Sequence, residues 1–439
     1  MAAAVRAAHD GHHVTLFEAS RHWGGRARTV SITLPANGPH GEQAGDRLLL
    51  DNGQHILIGA YTDTLRLMAL VGADTSSSLL RIPLRLTYPD GSGLALPDWP
   101  APLDVLAGVL GARGWRWTDK LALLRTALRW QWAGFACPPS TTVGQLCAHL
   151  PPRLRHEFID PLCVSALNTP SEQASGQVFL RVLKDALFGT PGGSNLLLPR
   201  VPLSELWPHA AVRWLQQHPR CADLRLGTRV TALSPWGVTP RAGTAPATPP
   251  GWAVNGERFD HVVWANFEQK QSLSLINKAL SAINFDNLPP SSDPPPPMAF
   301  EAIATVYAWA PARATGHALS HPMLAMRHQA GYPAQFVFDR GQLGGPRGLL
   351  AFVISASTDD AATLSAAVVQ QAQSQLGLVV QPIQTIVEKR ATFACTPHMQ
   401  RPAMAVAPGL VRAGDQVQGP YPATLEGAIR SGWAAGAVD

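Results

Sequence analysis

The sequence predicts an α/β fold in which a discontinuous Rossmann-like domain is interrupted by an inserted α+β domain. Near the amino terminus, an Ala-rich helix (Met1–His9) is followed by a turn at Asp10-Gly11 and an apolar strand, 14–17, that leads into Glu18. A Rossmann unit places an acidic residue after its second strand. Residues from about 80 to 200 are rich in Trp, Leu and Pro and read as mostly helical, whereas the last forty residues return to a strand–glycine–helix pattern.

The length of 439 residues exceeds the usual size of a single core, so we expect two domains. We assign residues 1–79, 200–266 and 396–439 to the nucleotide-binding domain, with its first strand missing. Residues 80–199 and 267–395 form the expected substrate-binding and membrane-facing domain.

The remaining elements follow from apolar periodicity and from turn residues. Asn255-Gly256 is a strong turn signal and predicts a hairpin within 251–264. Two segments rich in Pro, 235–250 and 291–297, are expected to be loops. Strands are expected at 48–50, 224–233, 302–307, 335–339, 349–355 and 409–413, and helices at 62–71, 363–376 and 423–435.

Composition excludes several classes of protein. The chain is 46% hydrophobic and 15% charged, and its net charge of +5 is spread along the sequence, so no nucleic-acid partner is expected. The five cysteines form no CxxC pair, which argues against a zinc site or a disulfide framework and favours the cytoplasm. We find neither a signal-peptide pattern nor an apolar run long enough to span a membrane.

Glu18 is the first candidate ligand-binding residue. A carboxylate here can accept hydrogen bonds from ribose hydroxyls and would repel a 2′-phosphate, which favours FAD or NAD over NADP. The alternative is an acid that simply ends a strand at the surface. The Gly-rich phosphate turn of a Rossmann unit lies about 20 residues before this acid, so we expect one strand and one Gly-rich turn to be missing ahead of Met1.

A glycine-rich basic loop follows Glu18. Gly24 and Gly25 allow the backbone to approach a ligand closely, and the guanidinium groups of Arg26 and Arg28 can neutralise a pyrophosphate. A second strand, a Glu and then Gly-Gly-Arg resembles the FAD enzymes of the amine oxidase and phytoene desaturase superfamily.

A second pair of motifs lies near the carboxyl terminus. Gly414 and Asp415 end a strand, and a helix containing Thr424 and Glu426 starts soon after. The amino terminus of a helix presents free N–H groups and a positive dipole end, which suit the electron-rich edge of a flavin. The alternative is a helix that is merely capped by Thr424.

Several longer blocks resemble one family, the squalene-associated FAD-dependent desaturase-like proteins, which include the hydroxysqualene dehydroxylases of bacterial hopanoid pathways. The blocks cover nearly the whole chain: 50–61, 160–169, 194–203, 302–307, 337–341, 388–392, 413–415 and 421–428. The resemblance implies an amine oxidase/phytoene desaturase-like fold and FAD as the cofactor.

The resemblance also assigns roles to individual residues. Glu18 would hold the adenosine ribose, and the backbone of Val230, in a strand 228–231, would touch the adenine. The remaining expected contacts are with the pyrophosphate and flavin, and involve Gly24, Gly25, Arg26, Gly53, Gln54, His55, Gly414, Asp415, Thr424 and Glu426.

The family reaction is the reductive removal of the hydroxyl of hydroxysqualene, with hydride supplied by the reduced flavin. His55, Asp160 and Arg200 are candidate proton donors, but a structural role explains each of them better than a catalytic one, so no catalytic acid is assigned. Three alternatives stay open: an oxidative carotenoid or phytoene-type desaturase, a polyamine or protoporphyrinogen oxidase, and a flavin-free pseudoenzyme or inactive fragment.

A thirty-carbon substrate implies contact with a membrane, so we expect peripheral attachment to the inner face of the cytoplasmic membrane through residues 115–132. Within 120–132 an apolar stripe and three cations, typical of an interfacial helix, are accompanied by two tryptophans suited to headgroup depth. The stripe is Leu121, Leu124 and Leu128, the cations are Lys120, Arg125 and Arg129, and the tryptophans are Trp130 and Trp132. The alternative is a helix packed within the substrate domain. The sequence does not indicate the oligomeric state.

Overall fold

Parallel strand pairs join parts of the chain that are far apart in sequence. The computed structural model describes residues 1–34, 45–236, 251–266, 270–281, 298–310 and 316–438. Strand β1 (Val14–Glu18) pairs in parallel with β9 (Cys221–Leu226), and β13 (Val262–Trp264) pairs in parallel with β20 (Leu410–Arg412). β19 (Ala405–Ala407) extends the second pair on the far side of β20.

Helices cover these strand pairs. They are α1 (Ala2–His9), α2 (Thr62–Leu70), α11 (Pro208–Gln217) and α14 (Leu425–Ala435). The α1 and α14 backbones approach closely, because a methyl group on Gly436 would lie only 2.4 Å from the Ala3 carbonyl oxygen. Val5 and Ala8 of α1 are fully buried in the apolar cluster between these helices.

A five-stranded antiparallel sheet forms the second large unit of structure. Its order is β15 (Met323–Ala325), β16 (Phe336–Asp339), β17 (Leu349–Ser355), β14 (Phe300–Trp309) and β18 (Gln381–Phe393). Side chains alternate across the sheet, so Val306 packs beneath α13 (Ala361–Leu376), whereas Tyr307 faces the helical segment on the other side.

The helical segment lies mostly between residues 103 and 188. Its helices are α4 (Leu103–Gly111), α5 (Trp117–Trp132), α6 (Val143–Leu146), α7 (Pro152–Leu154), α8 (Asp160–Leu167) and α9 (Gly176–Phe188). A π-helical turn, Arg155–Ile159, leads into α8. The described residues also form α3 (Thr75–Ser78), α10 (Leu203–Leu206), α12 (Lys270–Ser281) and a 3-10 helix, Arg340–Leu343.

Short strands complete the description. β2 (Thr29–Thr33) pairs with β3 (Arg47–Asp51), and β6 (Arg85–Thr87) pairs with β7 (Gly93–Ala95). β8 (Leu196–Pro199) lies between β4 (Leu57–Ile58) and β5 (Leu79–Ile82). β11 (Gly251–Val254) lies between β10 (Leu233–Trp236) and β12 (Glu257–Phe259).

Most predicted elements are confirmed within a few residues, including the hairpin, which turns at Asn255 and Gly256 with positive φ at both. The predicted strand 224–233 is wrong as one element. β9 ends at Leu226, Gly227 adopts φ +69°, and ladder pairing resumes only at Leu233. The loop expected at 235–250 is wrong at its first two residues, because 235–236 belong to β10. Residues 237–250 and 291–297 lie outside the described residues.

Candidate functional site

Glu18 and Val230 are brought together at the carboxyl end of β1. The backbone N–H of Thr228 donates to the Glu18 carbonyl over 2.8 Å, which holds the segment of Val230 against the strand end. The side chain of Asn255, and not a strand ladder, bonds to that segment, so the strand expected at 228–231 is wrong. The Glu18 carboxylate accepts the Ser20 N–H over 2.7 Å and shapes the next turn. Its contact with a ribose stays a prediction.

The start of α1 lies at the same end of β1. Burial lowers the pKa of the Met1 amino group, and the charge of Glu18 partly opposes that shift. An acidic side chain beside a helix amino terminus is the arrangement in which Rossmann units hold the ribose and phosphates of a cofactor.

The Gly24-Gly25 turn leaves open space beside the backbone. Both glycines have positive φ, +111° and +65°, which other residues rarely adopt. A methyl on Gly24 would contact the Ala27 carbonyl oxygen at 2.8 Å, whereas one on Gly25 would meet nothing within 4 Å. Gly24 therefore serves the turn itself, and the open space beside Gly25 is where the expected cofactor cradle would lie.

Arg26 links this turn to the carboxyl-terminal motif. Its Nη2 forms an ion pair of 2.5 Å with Asp415 Oδ1, and its Nη1 donates to the carbonyl of Ala391 over 3.0 Å. The Asp415 side chain is 7% exposed and that of Arg26 is 36% exposed. The two motifs predicted separately from sequence thus meet through one guanidinium, beside Gly414, which has φ +142°.

Asn52 holds the same loop from the opposite side and was missed by the sequence reasoning, although it lies in the 50–61 block. Its Nδ2 donates to the Arg26 carbonyl over 2.5 Å and to Glu388 Oε2 over 3.3 Å, while its Oδ1 accepts the Arg28 N–H over 3.0 Å. Glu388 was also missed as a site residue, because only the block 388–392 marked it. The two side chains join the glycine loop to β18.

Gly53, Gln54 and His55 follow directly. Gln54 Oε1 accepts a hydrogen bond from Arg340 over 3.2 Å, but Gln54 Nε2 is buried with no partner. Burial and, to a smaller extent, the positive charge of Arg26 lower the pKa of His55 to about 4. His55 is therefore neutral at pH 7 and lies within electrostatic reach of Arg26.

Asp51 anchors this block to the rest of the chain. Its Oδ1 accepts hydrogen bonds from Thr29 Oγ1 over 2.8 Å and from the N–H of Leu203 over 2.9 Å. The hydroxyl of Tyr307 donates to the Asp51 carbonyl over 2.8 Å. Burial raises the pKa of Asp51, and these hydrogen bonds, with the charge of Arg340, oppose the rise.

The predicted residues of α14 have structural partners. Thr424 caps the helix by accepting the Gly427 N–H over 3.0 Å. Glu426 is fully buried and accepts hydrogen bonds from the N–H of Thr64 over 2.9 Å and from its hydroxyl over 2.6 Å, at the start of α2. This carboxylate ties α14 to α2, and its contact with a flavin stays a prediction.

Among the described residues, the other two candidate proton donors have their hydrogen-bond partners elsewhere. Asp160 accepts the Ser171 hydroxyl over 2.6 Å and lies 3.3 Å from His156 at the start of α8. Arg200 is exposed, and its N–H donates to the Ser78 carbonyl over 2.8 Å. Of the three candidates, only His55 lies beside Arg26.

The helix expected to lie on a membrane is α5, and the structure corrects which of its residues are exposed. Trp130 is 8% exposed and packs in the core, so its predicted position at headgroup depth is wrong. Lys120 is also buried, and Leu124 is half-buried. Leu121, Leu128 and Trp132 are exposed as predicted. In the described part of the chain, no helix combines the length and apolar character needed to cross a bilayer.

These observations fit FAD. The space beside Gly25 is open, and the buried Nε2 of Gln54 is a donor with no protein partner. An unpaired buried donor is costly unless a bound group accepts from it. The Arg26 guanidinium and the acid at the end of β1 supply the charges that a pyrophosphate and a ribose require.

Similarity to known proteins agrees with this reading. The model of the flavin containing amine oxidoreductases matches residues 1–438. A hydroxysqualene dehydroxylase from Zymomonas mobilis is 25% identical over 454 positions, covering 98% of this chain and 94% of that protein.

Solved structures resemble the chain over almost its whole length. A putative protoporphyrinogen oxidase from Exiguobacterium sp. 255-15 superposes with a TM-score of 0.61 at 16% identity, covering 99% of this chain and 95% of the other. An oxidoreductase from Methanosarcina mazei gives 0.63 at 14% identity, covering 99% and 96%. Putrescine oxidase gives 0.61 at 13% identity, covering 99% and 95%.

The fold is therefore that of FAD-dependent oxidoreductases, with the expected combination of α/β and inserted α+β structure. The chain belongs to the flavin containing amine oxidoreductase family. Its cofactor is FAD, as the sequence predicted.

Proposed function

We propose that this flavin oxidoreductase reductively removes the hydroxyl of hydroxysqualene to give squalene. The observation that carries the proposal is the similarity to a protein of that name along 98% of the chain. The sequence blocks that resemble the hydroxysqualene dehydroxylases are distributed from residue 50 to residue 428, so the similarity is not confined to the cofactor motifs.

The reaction replaces a C–O bond with a C–H bond, and the oxygen leaves as water. When bound, reduced FAD supplies the hydride. The chain must therefore hold an apolar substrate, exclude bulk water and allow one proton to reach the departing oxygen.

The charged and polar residues of the site divide these tasks. Arg26 would neutralise the cofactor pyrophosphate, and the free amide of Gln54 would donate a hydrogen bond to the flavin. Because the pKa of His55 is about 4, this residue is a neutral hydrogen-bonding group at pH 7 rather than a store of the proton. We assign no residue as the donor of the proton that the departing oxygen takes up.

Apolar surroundings favour a hydrocarbon substrate. Tyr307, which bonds to Asp51 at the edge of the site, belongs to a large buried apolar cluster together with Phe338 and Phe393. A thirty-carbon chain gains about 0.8 kcal/mol for each CH₂ that leaves water for an apolar site. The substrate would come from the bilayer, so the proposal includes a place at the inner face of the cytoplasmic membrane.

The test is anaerobic incubation of the FAD-loaded, chemically reduced protein with detergent-dispersed hydroxysqualene, followed by product mass. We expect squalene together with oxidation of the flavin. Oxidised protein given phytoene and, separately, putrescine serves as the comparison, because a desaturase or an amine oxidase would reduce its flavin with one of these. Flavin reduction by either compound, without conversion of hydroxysqualene, contradicts the proposal.

A further inference from the structure

Exposed apolar side chains are concentrated in one segment. Eleven large hydrophobic residues of the described chain are exposed, and eight of them lie between residues 99 and 132. The eight are Trp99, Leu103, Leu106, Leu110, Trp117, Leu121, Leu128 and Trp132. The most exposed are Trp132 at 85% and Trp117 at 67%. Concentrated exposed apolar residues mark an interaction site more often than scattered ones do.

Helical periodicity places most of these residues on one stripe of each helix. Positions 103, 106 and 110 share one side of α4, and positions 117, 121, 128 and 132 share one side of α5. The two helices pack together, and the buried Lys120 Nζ of α5 donates to the Leu110 carbonyl at the end of α4 over 2.6 Å. We call the two stripes together the α4–α5 face.

The exposed charged residues of the same segment are all positively charged. Between 99 and 132 the exposed charged residues are Arg113, Arg116, Arg125 and Arg129. Both acids of the segment are buried, Asp104 at 5% and Asp119 at 6% exposure, and Asp119 accepts the Arg116 N–H over 3.0 Å at the start of α5. The two helices thus combine apolar and aromatic side chains with arginines and carry no exposed carboxylate, and the exposed Asp98 lies before them, beside Trp99.

We infer that the α4–α5 face docks on an anionic phospholipid bilayer, an inference that deepens the proposed function by naming the surface from which the apolar substrate is taken. Tryptophans suit the headgroup region, leucines reach the acyl boundary, and arginines attract anionic lipids. A second copy of the chain fits the face less well, because a two-fold symmetric contact would place the arginines of one copy near the same arginines of the other, and like charges repel. The inference extends the membrane contact expected for residues 115–132 to α4 and removes Trp130 from it.

Flotation with vesicles tests this directly, using the FAD-loaded protein. The vesicles contain phosphatidylcholine alone or an equimolar mixture with phosphatidylglycerol. We expect binding to the mixture, weakened by salt. Trp117→Ala/Trp132→Ala and Arg125→Glu/Arg129→Glu should each reduce partitioning by about tenfold or more.

Matched controls separate the face from general effects. Val379→Gln removes an apolar side chain that is 71% exposed elsewhere. Lys184→Glu/Lys278→Glu changes net charge as much as the arginine reversal does, at exposed positions outside the segment. Both controls should bind as the unaltered chain does.

Two outcomes overturn the inference: equal partitioning of the face variants and the controls, or a dimer in sedimentation that Trp132→Ala dissociates while vesicles remain unbound. Conversion of detergent-dispersed hydroxysqualene is measured separately. Failure of that reaction with vesicle binding intact counts against the proposed function alone, and failure of vesicle binding with the reaction intact counts against the docking face alone.

Discussion

Arg26 and Asp415 lie 389 positions apart in the chain and form an ion pair of 2.5 Å. The pair joins the glycine loop after β1 to the loop that precedes α14, so it closes the candidate cofactor site across the whole sequence. The Asp415 side chain is nearly buried, and removing its partner leaves a carboxylate in low dielectric.

Arg26→Gln should therefore reduce both FAD retention and stability. We expect a loss of about 1–3 kcal/mol in the free energy of unfolding, because a hydrogen bond between charged groups is broken and Asp415 is left unpaired. Flavin absorbance after gel filtration and urea unfolding measure the two effects. Arg21→Gln, at an exposed arginine of the same loop, should alter neither. Full FAD retention by Arg26→Gln would show that the guanidinium does not hold the cofactor.

The ion pair also shows how far the sequence could lead. Both residues were predicted as cofactor ligands from separate motifs, because each lies at a glycine turn after a strand. Their mutual contact depends on how the ends of the chain assemble, which no local pattern encodes. Glu388 illustrates the same limit, since its place beside Asn52 follows from the register of β18 against β14, and β18 has no strict alternation of buried and exposed residues.

The error at Trp130 has a related cause. An apolar stripe on a helix indicates that one face avoids water, but not whether a core or a membrane covers it. In α5 the core takes Leu123 and Trp130, and the stripe through Trp117 and Trp132 stays exposed. Only the packing of α5 against α4 and α7 decides between the two faces.

The pKa of His55 gives a pH dependence of stability. Its value of about 4 in the folded chain lies below the unfolded value of 6.5, so the unfolded state binds more protons between these limits. The contribution of neutral His55 to the free energy of unfolding is fully present above pH 6.5. It is lost as the pH decreases toward 4, and the total loss is at most about 3 kcal/mol. Urea unfolding across this range should show a flatter profile for His55→Gln. His22→Gln, at an exposed histidine, should keep the slope of the unaltered chain, and equal slopes in all three proteins would contradict the prediction.

Glu426→Gln tests whether this residue acts on α2 or on the flavin. The carboxylate is fully buried, accepts from Thr64 and pairs with Arg430 Nε over 2.8 Å. Replacing one carboxylate oxygen with an NH₂ group removes the negative charge and places a hydrogen-bond donor next to the donors of Thr64 or Arg430. This change should lower the free energy of unfolding by about 1–3 kcal/mol.

Glu205→Gln is the comparison for this substitution, because Glu205 is an exposed glutamate paired with His209 and Arg213, and its loss should cost less than about 1 kcal/mol. Unchanged FAD affinity in Glu426→Gln would assign the residue to the α2–α14 junction alone. A cost no greater than that of Glu205→Gln would refute the junction role.

Gly25→Ala separates the cofactor cradle from backbone strain. Gly25 has φ +65°, and a methyl group there meets no protein atom within 4 Å. Gly72, at the end of α2, has φ +74° and the same open surroundings. Alanine at either position pays a similar cost of about 1–2 kcal/mol for a left-handed conformation, so the two FAD-free proteins should lose comparable stability. The two glycine positions should differ in what occupies the neighbouring space once FAD is bound.

At Gly25 the methyl group would project toward the pyrophosphate, so we expect Gly25→Ala to bind FAD about tenfold or more weakly, a loss of at least about 1.4 kcal/mol. Gly72→Ala should bind it normally. Titration of the FAD-free proteins with FAD, followed by flavin fluorescence, measures both affinities, and thermal unfolding of the same samples measures the shared strain. Equal affinities would mean that the space beside Gly25 faces solvent in the FAD complex, and the cradle would then have to be sought on another side of the loop.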